Sequence, residues 1–163
     1  MAYNWNLFNL SRQVIEPYVI NFLSKREKVD HVELSNQKED MQDKIDVKVF
    51  VKNGNVIPVQ IKTREKNYPN FSIPKKDIIN EQENRVFCFI DKTFDAETVN
   101  KLLELNEMAM NAIQDESPKI LMLTQKKFLE DLTQFTYKEK NGDGYYLVPK
   151  EYLKKLKYNK EDE

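Results

Sequence analysis

The chain has 163 residues, 33% of them charged, and a net charge of −1 at neutral pH. That length suits one domain with a single core, and the near-neutral sum argues against a protein that coats nucleic acid through bulk charge. A lone cysteine, Cys88, excludes internal disulfides, and a lone histidine, His31, excludes His-rich metal sites and argues against a His-based triad.

Apolar residues recur at helical spacing across residues 7–26: Leu7, Leu10, Val14, Ile15, Tyr18, Val19, Phe22 and Leu23. This predicts one amphipathic helix bent at Pro17, or two short ones. KVDHVELSNQKEDMQDK is polar, with a short edge strand expected near Val32. Residues 44–64, KIDVKVFVKNGNVIPVQIKTR, read as a β-hairpin around Asn53-Gly54. YPNFSIPKKDIINEQ predicts a loop and a short helix with Pro74 near its first turn. RVFCFI (85–90) and KILMLT (119–124) are continuous apolar runs, typical of strands buried on both faces. Between them Asp95 can cap a helix through Val99, Leu102, Leu103, Met108 and Ile113. Strand, helix, strand in that order implies a right-handed crossover and a parallel pair. Thr124 can cap a further helix containing Phe128, Leu129 and Leu132. Asn141-Gly142-Asp143-Gly144 marks a loop, YYLV a short strand and PKEYLKKLK a helix beginning near Pro149. Residues 159–163 read as a charged, flexible tail on a domain spanning 1–158. No apolar run reaches the roughly 18 residues of a membrane span, and MAYNWNLFNLSR lacks the basic-then-apolar order of a secretory signal. The expectation is a cytoplasmic protein away from membranes.

The hairpin carries the chemistry, and its register decides which side chains meet. A two-residue loop would set Asp46 opposite Ile61 and Lys48 opposite Val59, mixing charged and aliphatic side chains on both faces. A three-residue loop, Lys52-Asn53-Gly54, with Gly54 in the left-handed position, shifts the pairing by one. Ile45, Val47, Val49 and Val51 then share an aliphatic face with Ile57, Val59 and Ile61. The opposite face holds Asp46 across from Gln60, with Lys62 two residues beyond.

Asp46 would offer a hard oxygen ligand to Mg²⁺ or Mn²⁺, with the Gln60 carbonyl and the backbone carbonyl of Ile61 as weaker ligands. Lys62 would sit by a scissile phosphate and stabilise its developing charge. The alternative is an ordinary hairpin face on which Asp, Gln and Lys are simply solvated.

At these residues the chain resembles the PD-(D/E)XK nuclease superfamily. There an Asp opens one strand of a hairpin and a (Glu/Gln)-x-Lys closes the next. Asp46 matches the first, and Gln60-Ile61-Lys62 matches the second in its Gln form. Glu16, in RQVIEPYVINFL, matches the acid that the family often adds from its first helix. An acid there also suits a helix dipole, and Glu39, Asp40 or Asp43 could supply the extra carboxylate instead. Ile45 stands where the name-giving Pro would be, and Gln60 removes one negative charge from the metal site. The resemblance implies a restriction endonuclease-like α/β core, in which a mixed sheet with a motif-bearing hairpin is flanked by helices. It further implies a Mg²⁺- or Mn²⁺-dependent enzyme that hydrolyses DNA phosphodiester bonds through Asp46, Gln60, Lys62 and Glu16. A homodimer would supply two cuts.

From Lys44 to Lys76 eight basic residues stand against Asp46 and Glu65. Of these, Lys44, Lys48, Arg64, Lys66, Lys75 and Lys76 are candidates for holding a phosphate backbone without reading bases. The alternative function is a catalytically inactive descendant of the fold that binds nucleic acid or protein.

Overall fold

The computed structural model describes residues 15–36, 45–65, 70–78, 84–94 and 120–160. The expected helical stretches at 7–14 and 95–113, and the acids Glu39, Asp40 and Asp43, lie outside them.

The protein is mixed α/β. Helix α1 (Glu16–Ser24) carries Pro17 in its first turn, where a missing N–H costs nothing. Strands β1 (Val29–Leu34), β2 (Val47–Val51), β3 (Val56–Glu65), β5 (Val86–Phe94) and β6 (Ile120–Thr124) form one sheet in the order β1-β2-β3-β5-β6. β1 is the edge strand expected near Val32. A second sheet has the order β4-β8-β7, from β4 (Asn70–Pro74), β7 (Thr136–Lys140) and β8 (Asp143–Pro149). Three short α-helices, α2 (Gln125–Glu130), α3 (Lys150–Lys155) and α4 (Lys157–Lys160), and two 3-10 turns (Lys75–Asp77 and Leu132–Gln134) complete the described elements.

The β2–β3 hairpin takes the register that the aliphatic pattern selects. Val47 faces Val59 and Val49 faces Ile57. Val51 N–H donates to Asn55 at 3.0 Å, which leaves Lys52-Asn53-Gly54 as the loop, and Gly54 has φ +95°. The Asn53 side chain accepts from Asn55 N–H at 2.9 Å and stiffens the turn.

Three expectations are corrected. β5 and β6 are antiparallel, with Cys88 opposite Met122, and the parallel pair is β3–β5. Burial on both faces makes an apolar run but does not encode strand direction. Residues 70–74, read as loop, form a strand because Phe71 and Ile73 alternate with exposed or half-buried neighbours and pair with β8. The Asn141-Gly142 dipeptide closes a β7–β8 hairpin, with both residues at positive φ (53° and 84°). β7 escapes notice because TYKEK is exposed throughout and has no apolar alternation. Thr124 does cap α2, accepting from Lys127 N–H at 3.1 Å.

The five-stranded sheet separates two cores. On one face Val19 and Leu23 of α1 pack with Val47, Val49, Val59, Cys88, Ile90, Ile120 and Met122. On the other, Phe87, Phe89, Leu121 and Leu123 meet Phe71 and Ile73 of β4, Val148 of β8 and Phe128 of α2. Phe71 and Phe89 lie 4.7 Å apart, joining the second sheet to the first. Edge strand β6 is closed by Asn159, assigned to the tail by its charged surroundings. Its amide accepts from Met122 N–H (2.7 Å) and donates to Met122 O (2.9 Å) and Leu153 O (2.8 Å), as a neighbouring strand would.

Candidate active site

Asp46 sits in a bend immediately before β2, not within the regular ladder. Its N–H donates to Val59 O at 2.8 Å, although Val59 is the register partner of Val47. Two successive residues thus face one, as in a bulge. The displaced Asp46 carboxylate turns onto β3 and accepts the Ile61 N–H at 2.6 Å. The acid therefore sits against the main chain between Gln60 and Lys62. Ser35 N–H donates to Asp46 O at 3.0 Å, and the buried Ser35 hydroxyl has no hydrogen-bond partner among the described residues.

Gln60 and Lys62 project from the face of β3 that looks onto the second core. Gln60 is buried, and Lys62 is largely covered, with 17% of its side chain exposed. Both reach Asp77, the last residue of a 3-10 turn over Lys75–Asp77 that follows β4. Lys62 Nζ lies 2.5 Å from Asp77 Oδ2, and Gln60 Nε2 donates to the same oxygen at 3.3 Å. Arg85, wholly buried at the entrance to β5, donates through Nη1 to Gln60 Oε1 (3.2 Å) and through Nε to Gln125 Oε1 (3.0 Å). Its Nη2 donates to Gln125 Oε1 (2.7 Å) and to the main-chain carbonyl of Asp77. The guanidinium lies over the Phe87 ring at 4.7 Å from its centre. Burial pulls Arg85 down to about 10, opposed by the charges of Asp77 and Asp46, so it remains a cation at neutral pH.

The other candidates divide. Glu16 is buried in the first turn of α1, on the helix that packs over β1 and β2. Lys48 is half-buried on β2, with Glu33 and Pro58 as register partners. Lys75 and Lys76 are exposed on the turn that presents Asp77. Lys44 and Lys66 lie outside the described residues, and for Arg64 the description covers only the main chain.

Asp77, Arg85 and Gln125 carry no motif spacing that would single them out. A weak signal existed: an arginine opening an apolar strand, and an acid after two lysines. The donor set suits a hard divalent cation in part. The Asp46 carboxylate and Ile61 carbonyl are oxygen ligands of the right kind. The Gln60 carbonyl faces Arg85 and would have to turn to join them. Among the described residues no group of three or more His, Cys, Asp and Glu side chains could hold a metal ion. No helix among them is long and apolar enough to cross a membrane. Comparison with family models, with curated proteins and with solved structures finds no match to this chain.

Proposed function

We propose that the protein is a Mg²⁺- or Mn²⁺-dependent nuclease of the restriction endonuclease-like kind that hydrolyses DNA phosphodiester bonds. The observation that carries this reading is the Asp46 carboxylate bound to the Ile61 N–H, which brings the acid of one strand against the Gln-x-Lys of the next. Asp46 and the Ile61 carbonyl would hold the metal, with Gln60 as an auxiliary ligand once its amide turns from Arg85. The cation would contribute positive charge beside the scissile phosphate. Lys62 would contact a phosphate oxygen and stabilise the charge that grows there in the transition state. Glu16 would add a distal acid. Exposed Lys75 and Lys76 would hold the backbone without reading sequence. Supercoiled, linear, single-stranded and branched DNA incubated with Mg²⁺ or Mn²⁺ tests the reading, with Lys62→Ala and Asp46→Ala beside the wild type. Cutting by the wild type and a rate at least about 100-fold lower in the folded variants is expected; equal activity removes the site assignment.

A second reading is favoured by one contact, the Arg85 guanidinium on Gln60 Oε1. A resident cation there opposes a divalent one nearby, as in a non-catalytic module that binds nucleic acid or protein. Calorimetric titration with Mn²⁺ separates the two. Uptake that disappears in Asp46→Ala supports the nuclease, and DNA binding without metal uptake or cleavage supports the module.

A further inference from the structure

We infer that Asp77 is a positioning residue: one of its carboxylate oxygens holds the Lys62 ammonium in place for catalysis, and the same oxygen fixes the resting orientation of Gln60. The inference rests on the nuclease reading above.

Asp77 is 4% exposed, and a carboxylate so placed is costly to bury without partners. Its partners are the two motif side chains of β3, Lys62 Nζ at 2.5 Å and Gln60 Nε2 at 3.3 Å. The main chain of Asp77 is fixed independently of them. Arg85 donates to its carbonyl, Ile78 N–H closes the turn on Lys75 O at 3.1 Å, and Pro74 leads in from β4, where it pairs with Tyr145. Lys62 has a flexible four-carbon stem with several rotatable bonds. The rigid partner therefore sets where the ammonium rests. The same oxygen orients Gln60. With Arg85 on Oε1 and Asp77 on Nε2, turning the amide over would oppose donor to donor and acceptor to acceptor.

A purely stabilising ion pair would look the same in the resting protein, so the test must show that Asp77 acts through Lys62. Plasmid nicking with Mg²⁺ would be measured for the wild type, Asp77→Asn, Lys62→Ala and the double variant. Asp77→Asn, which keeps the shape and loses the charge, is expected to lower kcat about 10- to 100-fold while KM for DNA changes less than about threefold. Asp77→Glu, which keeps the charge but displaces it by a methylene, is expected to fall between Asp77→Asn and the wild type. The double variant is expected to be no slower than Lys62→Ala. A readout free of metal and turnover is acetylation of Lys62, followed by peptide mass spectrometry. It should accelerate several-fold in Asp77→Asn, with the exposed Lys126 and Lys154 unchanged. Additive losses in the double variant, or unaltered Lys62 acetylation, overturn the positioning role while leaving the nuclease reading intact. A wild-type chain that does not cut overturns both.

Discussion

The two faces of the five-stranded sheet are built on different principles. One is lined from β2, β3, β5 and β6 by Val47, Val49, Val59, Ile57, Ile61, Cys88, Ile90, Ile120 and Met122. Dispersion and burial suffice there, and neighbours of similar volume can substitute for one another. The opposite face surrounds five phenylalanines with Gln60, Asp77, Arg85 and Gln125, each less than one-tenth exposed. Groups of that kind must have directional partners, so each constrains the next. The lesson is that the proposed site is set into the polar, over-determined face, where side-chain positions are fixed more tightly than packing alone would fix them.

The largest test of that contrast is Arg85→Met, a near-isosteric change that leaves the Gln60 and Gln125 side-chain carbonyls and the Asp77 main-chain carbonyl without their buried donor. With three buried acceptors left unsatisfied, a loss of about 3–5 kcal/mol in urea unfolding is expected, against about 2 kcal/mol for Val49→Ala on the aliphatic face. If Val49→Ala costs as much as Arg85→Met or more, the contrast between the faces fails. The aliphatic face has its own signature in pH. Burial pushes the Cys88 thiol from its ordinary 9 to about 12, with Arg26 opposing and Asp46 reinforcing. Above pH 9 the unfolded thiol loses its proton while the folded one keeps it, so the unfolded state binds fewer protons and stability falls as pH rises. Wild-type protein should therefore lose about 1.4 kcal/mol per pH unit more than Cys88→Ala between pH 9 and 12. Parallel stability curves would mean that the thiol is not buried as described. The smallest expected effect is at the turn between β2 and β3. Gly54→Ala meets no atom within 4 Å, so its cost is the positive φ alone, about 1 kcal/mol by thermal unfolding. A neutral result would mean the three-residue loop is not what holds the register.

The aliphatic face was readable from the sequence because a period of two, combined with a three-residue loop, left one self-consistent pairing for Val47, Val49, Ile57 and Val59. The approach of Asp46 to β3 followed from the same register, but its detail did not. The bulge turns the carboxylate onto the Ile61 N–H instead of leaving it across from Gln60. The polar face was not readable. Asp77 reaches Gln60 and Lys62 only because β4 pairs with β8, more than 70 residues later in the chain, and carries the following turn into place. Arg85 looked like the flank of an apolar strand, and nothing local says that its guanidinium turns inward to meet Gln125, 40 residues away. The antiparallel β5–β6 pairing was hidden for a related reason, since apolar runs report burial and carry no direction.

The central claim is that the hairpin acid and the Gln-x-Lys form a working phosphodiesterase site. The most direct measurement is the Mg²⁺-dependent nicking rate of supercoiled plasmid by the wild type and by Lys62→Ala, with thermal unfolding of both in parallel. A rate at least about 100-fold lower in the variant, with both proteins folded, is expected. Equal rates, or no metal-dependent nicking by the wild type, would contradict it.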